Sequence, residues 1–163
     1  MELPTIDPTL EELSALSGRY AEFVRIADQG GGELVLTADD LNRRIAGSDG
    51  NLGGVLWVRI EADLIFLDVS LPLEDVFGQS FDGRYINGTV GASLTMKDDE
   101  VEVVLESVKT RRGNELSKEH LDQASEALSS DPQTRERIDE IFGEAGRTAK
   151  SLEIRDGQLI FRN

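Results

Sequence analysis

The sequence predicts an α+β domain in which a curved antiparallel sheet of about five to seven strands packs against amphipathic N-terminal and C-terminal-half helices. Three observations carry this reading. Apolar residues recur at helical spacing from Leu10 to Ala27 and again beyond Ser117, they alternate from Leu56 onward, and each change of period falls at a glycine-rich or charged turn. With 163 residues the chain fits one domain, residues 1–163, in which 1–7 form an extended lead-in. Folding at that length buries roughly 70% of the unfolded chain's surface, enough for a core without staples.

Asp7 and Pro8 read as an N-cap and first helical residue, and Leu10, Leu13, Leu16, Tyr20, Phe23, Val24 and Ala27 then mark one helix face. Gly30-Gly31-Gly32 stops the helix; no Gly-Lys-Ser/Thr follows, so it is a hinge and not a phosphate loop. Leu34-Val35-Leu36 is a short strand leading into Thr37-Ala38-Asp39-Asp40, where the threonine caps a second helix carrying Leu41 and Ile45 inward and ending at Gly47. Asn42 beside Leu41 is read as a buried hydrogen-bonding residue that fixes this helix to the sheet. After a polar loop, Leu56, Val58 and Ile60 alternate with Trp57, Arg59 and Glu61. A turn at Glu61-Ala62-Asp63 leads to Ile65, Leu67, Val69, Leu71 and Leu73, which alternate with Phe66, Asp68 and Ser70. Tyr85 to Met96 and Val101 to Val108 pair across Lys97-Asp98-Asp99-Glu100. Helical spacing returns in Ser117 to Ser130, with Leu121, Ala124 and Leu128 inward, and restarts at Asp131-Pro132 with Ile138, Ile141, Phe142 and Ala145. Leu152-Glu153-Ile154 and Leu159-Ile160-Phe161 flank Arg155-Asp156-Gly157-Gln158, an Asp-Gly hairpin signal.

Thirty-two acidic against seventeen basic residues give a formal charge of −15, a field that repels phosphate backbones, so no nucleic-acid partner is expected. The one basic cluster, Lys109-Thr110-Arg111-Arg112, reads as a solvated turn. Absence of cysteine removes disulfides, thiolate metal ligands and thiol nucleophiles while leaving the compartment open. Apolar runs such as Leu64 to Leu67 are far short of the ~20 residues that span a bilayer, so a soluble chain is expected, either as it stands or trimmed from an anchored protein.

Candidate chemistry is sparse. His120, the only histidine, lies in the first turn of a predicted helix beside Glu119 and reads as a surface residue; a hydrolase would need it in a cleft with a nucleophile in hydrogen-bond reach. Ser14 and Ser17 lack the Gly-x-Ser-x-Gly setting that exposes a nucleophile. Asp49-Gly50-Asn51 lacks the later carboxylates of a calcium loop, and Asp98-Asp99 has no third ligand at metal spacing. Asn87-Gly88-Thr89 matches a glycosylation acceptor but falls within a strand. No catalytic residue, metal site or cofactor is therefore expected.

Three segments resemble small bacterial envelope domains of the LmeA and YpmS type, in the order those domains show. They are Leu34-Val35-Leu36-Thr37-Ala38-Asp39-Asp40-Leu41-Asn42, then Phe81-Asp82-Gly83-Arg84-Tyr85-Ile86-Asn87-Gly88 followed by a two-strand meander, then Leu152-Glu153-Ile154 with Asp156-Gly157-Gln158-Leu159-Ile160. The resemblance covers Glu33 to Asn163 discontinuously. It implies an extracytoplasmic, non-enzymatic domain, related in style to tubular lipid-binding proteins, whose curved sheet wraps helices and leaves an apolar groove. Family members are usually tethered by an N-terminal membrane segment, which is not expected here unless the chain is trimmed from a longer one, and the strong acidity turns the expected ligand toward neutral lipid, a lipid-like chain or a protein partner. Ligand-lining residues are expected at Trp57, Phe66, Leu71 and Phe77. Trp57 and Phe66, opposite the aliphatic faces of their strands, either line that groove or pack under the Leu10 to Ala27 helix. The alternatives kept open are a structural or protein-interaction module without a small-molecule ligand, of undetermined oligomeric state, and a cytoplasmic location.

Overall fold

The computed structural model of the chain describes residues 2–48, 54–72, 85–98, 100–130 and 132–163. Among these residues four helices and seven strands follow in the order α1 (Leu10–Ala27), β1 (Glu33–Thr37), α2 (Ala38–Ala46), β2 (Leu56–Glu61), β3 (Leu64–Pro72), β4 (Tyr85–Lys97), β5 (Glu100–Thr110), α3 (Lys118–Ser130), α4 (Pro132–Thr148), β6 (Ser151–Arg155) and β7 (Gln158–Arg162). The architecture is α+β and every strand pair is antiparallel, as the alternation predicts.

The strands divide into two sheets: β2-β3-β4-β5 is a continuous meander, and β1-β7-β6 is a separate three-stranded sheet. Local periodicity sets each strand's faces but not its distant partner, and here β7 returns to β1 with Leu34 opposite Phe161 and Leu36 opposite Leu159. Those four residues bury their side chains in one cluster with Val58, Ile65 and Leu94 of the larger sheet and with Leu16, Tyr20, Phe23, Phe142 and Ala145 of the helices. One core is thus shared by both sheets and by α1, α2 and α4.

Three local features differ from the sequence reading. Helix α1 is capped by Thr9, not Asp7: the threonine side chain accepts from Glu12 N–H at 3.2 Å while Glu12 accepts from Thr9 N–H at 2.9 Å. That reciprocal pair satisfies two otherwise orphaned donors, which an Asp7 cap followed by proline could not do here. Leu10 is consequently the first helical residue, ahead of the buried face, and is 86% exposed. The hairpin between β4 and β5 is also tighter than expected, with Lys97 opposite Glu100 and Asp98 in a left-handed conformation.

Helix α4 is kinked at Gly143, whose φ of 58° and ψ of −148° lie where only glycine is unstrained. A kink frees carbonyls from the helical ladder, and two nearby are claimed by other elements. Tyr20 Oη donates to Ile141 O at 3.2 Å and Arg44 Nε to Glu140 O at 2.9 Å, with the Arg44 guanidinium 4.6 Å from the Tyr20 ring centre. Burial pushes the Tyr20 hydroxyl up to about 12, partly offset by Arg44, so it stays a donor throughout the ordinary pH range. The C-terminal hairpin turns as the Asp-Gly signal predicts, with positive φ at both Asp156 and Gly157. Beyond it, Asn163 Nδ2 donates to Ala27 O at 3.2 Å and Thr148 O at 3.4 Å, tying the ends of α1 and α4 together.

Candidate functional site

Thr37 begins the site as the cap of α2. Its hydroxyl accepts from Asp40 N–H at 3.2 Å, and Asp40 in turn accepts from Thr37 N–H at 2.9 Å and from Arg19 at 2.9 Å. Burial alone would raise the Asp40 carboxyl, but those hydrogen bonds and the Arg19 charge outweigh it and hold it below the usual carboxylate range. Arg19 also donates to Val35 O on the outer edge of β1. The start of α2 is thereby locked to α1 and β1.

One turn along α2, Asn42 meets β2. Its Oδ1 accepts from Val58 N–H at 2.8 Å and its Nδ2 donates to Val58 O at 2.9 Å, so the side-chain amide stands where a further strand would pair. Asn42 is 3% exposed, and it fixes helix to sheet as the sequence reading expected. The opposite edge is closed similarly by Ser125 of α3, whose hydroxyl accepts from Leu105 N–H at 3.0 Å. Each contact occupies part of an edge strand and blunts it against pairing with another chain.

Where α2 ends against the start of β2, a cleft of about 140 Å³ remains, lined by Asn42, Ile45 and Ala46 of α2, Gly54, Leu56 and Trp57 beside them, and Pro4, Thr5 and Ile6 of the lead-in. Of the four side chains expected to line a groove, two are described, and of these Trp57 lines the cleft. Phe66 projects from the same sheet face but is occupied: the Arg59 guanidinium lies 5.4 Å from its ring centre, and its ring edge reaches within 3.1 Å of where a Cβ on Gly91 would stand. Both aromatics project from the sheet face opposite Val58 and Ile65, which share the core with α1, so neither lies beneath that helix. The Leu71 backbone pairs with Ile86, but its side chain lies outside the described residues, as do Phe77, the Phe81 to Arg84 portion of the resemblance, and Asp49-Gly50-Asn51.

Beside Phe66 that face carries a polar network. Asp68 accepts from Arg59 Nε at 2.8 Å and Thr89 Oγ1 at 2.6 Å, and Ser70 donates to Asn87 at 2.7 Å. Burial raises the Asp68 carboxyl, yet the Arg59 and Thr89 hydrogen bonds and the Arg59 charge bring it below the usual range. A second cleft, of about 120 Å³, lies between β5 and α4, with Val101, Ile138 and Phe142 beside the charged Glu100, Asp139 and Arg147.

Ser117 Oγ lies 2.7 Å from His120 Nδ1, which meets half of the requirement stated for a hydrolase. Both residues are exposed, three positions apart at the start of α3, and neither lines either cleft. Among the described residues no three His, Asp or Glu side chains converge to hold a metal ion, and no helix is long and apolar enough to cross a membrane.

Sequence reasoning missed most of the cleft. Pro4 and Ile6 looked like linker, although an apolar Leu3-Pro4-Thr5-Ile6 run ahead of a helix was a signal that the segment docks. Ala46 carries no signal, because its role depends on where α2 stops. No known protein family, curated protein or solved structure matches the chain.

Proposed function

We propose that the chain is a non-catalytic bacterial envelope domain that holds a neutral apolar or amphipathic ligand by the end of one apolar group, inserted between α2, β2 and the lead-in. The observation that carries this reading is the cleft beside Trp57. Its walls are Ile45, Ala46, Leu56, Trp57, Pro4 and Ile6, and the amide of its one buried polar side chain, Asn42, is already engaged with Val58. Such a site offers contact area and little polar selection.

Size narrows the ligand. Small-molecule pockets run to about 300–1,000 Å³, so a cleft of about 140 Å³ takes a ring the size of benzene or the last few methylenes of a chain, not an entire lipid. A formal charge of −15 favours neutral over anionic ligands. The exposed setting of Ser117 and His120, outside both clefts, supports the non-catalytic part of the reading. The order of the capped α2, the meander and the Asp-Gly hairpin, which resembles the envelope domains, supports the location.

Titration with the neutral fluorophore N-phenyl-1-naphthylamine tests the proposal, because Trp57 is the only tryptophan and acts as energy donor. Saturable transfer is expected in the wild type and its loss in Ala46→Phe, which fills the cleft. No saturable signal, or equal binding by the filled variant, overturns the reading.

A further inference from the structure

Among the described residues, none of residues 2–8 makes a hydrogen bond or ion pair with the body, and the first such link is the Thr9 cap of α1. Yet Leu3 is only 7% exposed, Ile6 is half-buried, and Pro4, Thr5 and Ile6 form one wall of the cleft, with Thr5 Cγ2 3.9 Å from the position of a Cβ on Gly54. Apolar burial alone holds the segment down.

We infer that residues 2–8 are a displaceable strap, seated by Leu3, which opens to admit the apolar ligand beside Trp57 and closes as one wall of its cleft. This rests on the proposed function of that cleft and adds its regulation. A segment without backbone hydrogen bonds opens at low cost, because nothing polar must be rehydrated one bond at a time. Pro4 and Pro8 lack an N–H to offer a partner, which suits a segment that must leave and return unpaired. With the strap open the cleft lacks the wall formed by Pro4, Thr5 and Ile6, so the ligand's apparent affinity scales with the fraction of time the strap is seated. Burial of one leucine biases that equilibrium by roughly ten- to a hundredfold, so unseating it lowers apparent affinity by up to about the same factor.

The experiment compares wild type, Leu3→Ser and Ile6→Ser by two measurements. Acrylamide quenching of Trp57, without ligand, is expected to rise in both variants while far-UV circular dichroism stays near wild type and Tm of Leu3→Ser falls by roughly 3–10 °C. N-phenyl-1-naphthylamine is expected to bind Leu3→Ser about tenfold or more weakly than wild type. Unchanged quenching together with unchanged affinity overturns the strap and leaves the cleft reading standing. Absence of saturable probe binding in all three proteins overturns both. Rescue of wild-type quenching by Leu3→Met, which restores an apolar side chain of similar volume, separates seating by burial from a disturbance of the fold.

Discussion

Replacing Asn42 by alanine removes both hydrogen bonds to Val58 and leaves a backbone N–H and a C=O without partners on a strand whose Val58 is itself buried. Each buried unsatisfied group costs about 1–3 kcal/mol. Because Asn42 borders the cleft, water reaches part of the gap, so the expected loss is about 2–4 kcal/mol. At this chain length each kcal/mol moves Tm by roughly 2–4 °C, giving a drop of about 5–15 °C. Urea unfolding followed by Trp57 fluorescence reads the change one residue away from the broken contact. Asn42→Asp makes the test sharper. The carboxylate still accepts from Val58 N–H but turns an oxygen toward Val58 O, so burial and that carbonyl raise its folded-state pKa. A raised carboxyl gains stability as pH falls through it, so the deficit of Asn42→Asp relative to wild type should shrink from pH 7 to pH 5. An alanine variant within 1 kcal/mol of wild type, or an aspartate deficit independent of pH, would refute the edge-pairing role.

Other perturbations follow from the same geometry. Gly143→Ala should cost about 1–3 kcal/mol in thermal or urea unfolding, since alanine is strained at that φ and ψ and its Cβ meets Arg44 Nη2 at 3.1 Å; a neutral effect would mean the kink is dispensable. Asn163→Asp should lower stability by about 1–2 kcal/mol, because it replaces a shared donor to Ala27 O and Thr148 O with negative charge at two helix C-termini. Asp40 and Asp68 have lowered folded-state pKa values, so the unfolded chain binds more protons as pH falls. Their stabilisation is complete well above the ordinary value of 3.8 and is lost as pH drops below it. Asp68→Asn should therefore be less stable than wild type at pH 7 and show a smaller drop between pH 5 and pH 3 in acid titrations followed by circular dichroism.

Alternation made the β2 to β5 meander legible from sequence, because the faces of a half-buried strand are written locally as Leu56, Val58 and Ile60 against Trp57, Arg59 and Glu61. The same holds for Thr37 and Asp40 as a cap, and for Asp156-Gly157 as a turn. What stayed hidden depends on distance or on competing local signals. Pairing of β1 with β7 joins residues more than a hundred positions apart, and nothing in Leu34-Val35-Leu36 names Phe161 as a neighbour. The Thr9 cap was legible as a Thr-x-x-Glu box ending at Glu12, but the Asp7-Pro8 pair offered a rival start two residues earlier. Trp57 and Phe66 look equivalent by period, yet one borders a gap left by the end of α2 and the other is covered by Arg59 two residues along on β2. Periodicity assigns a face; it does not say whether that face is filled.

Benzene fits a cavity of about 150 Å³ lined by apolar side chains, which makes it a probe matched to the cleft beside Trp57. In two-dimensional amide NMR of the wild-type chain titrated with benzene, saturable shifts should gather at Ile6, Ile45, Ala46, Gly54, Leu56 and Trp57 and vanish in Ala46→Phe. Shifts that never saturate, or that gather instead around Val101, Ile138 and Phe142, would show that the apolar ligand site is not there.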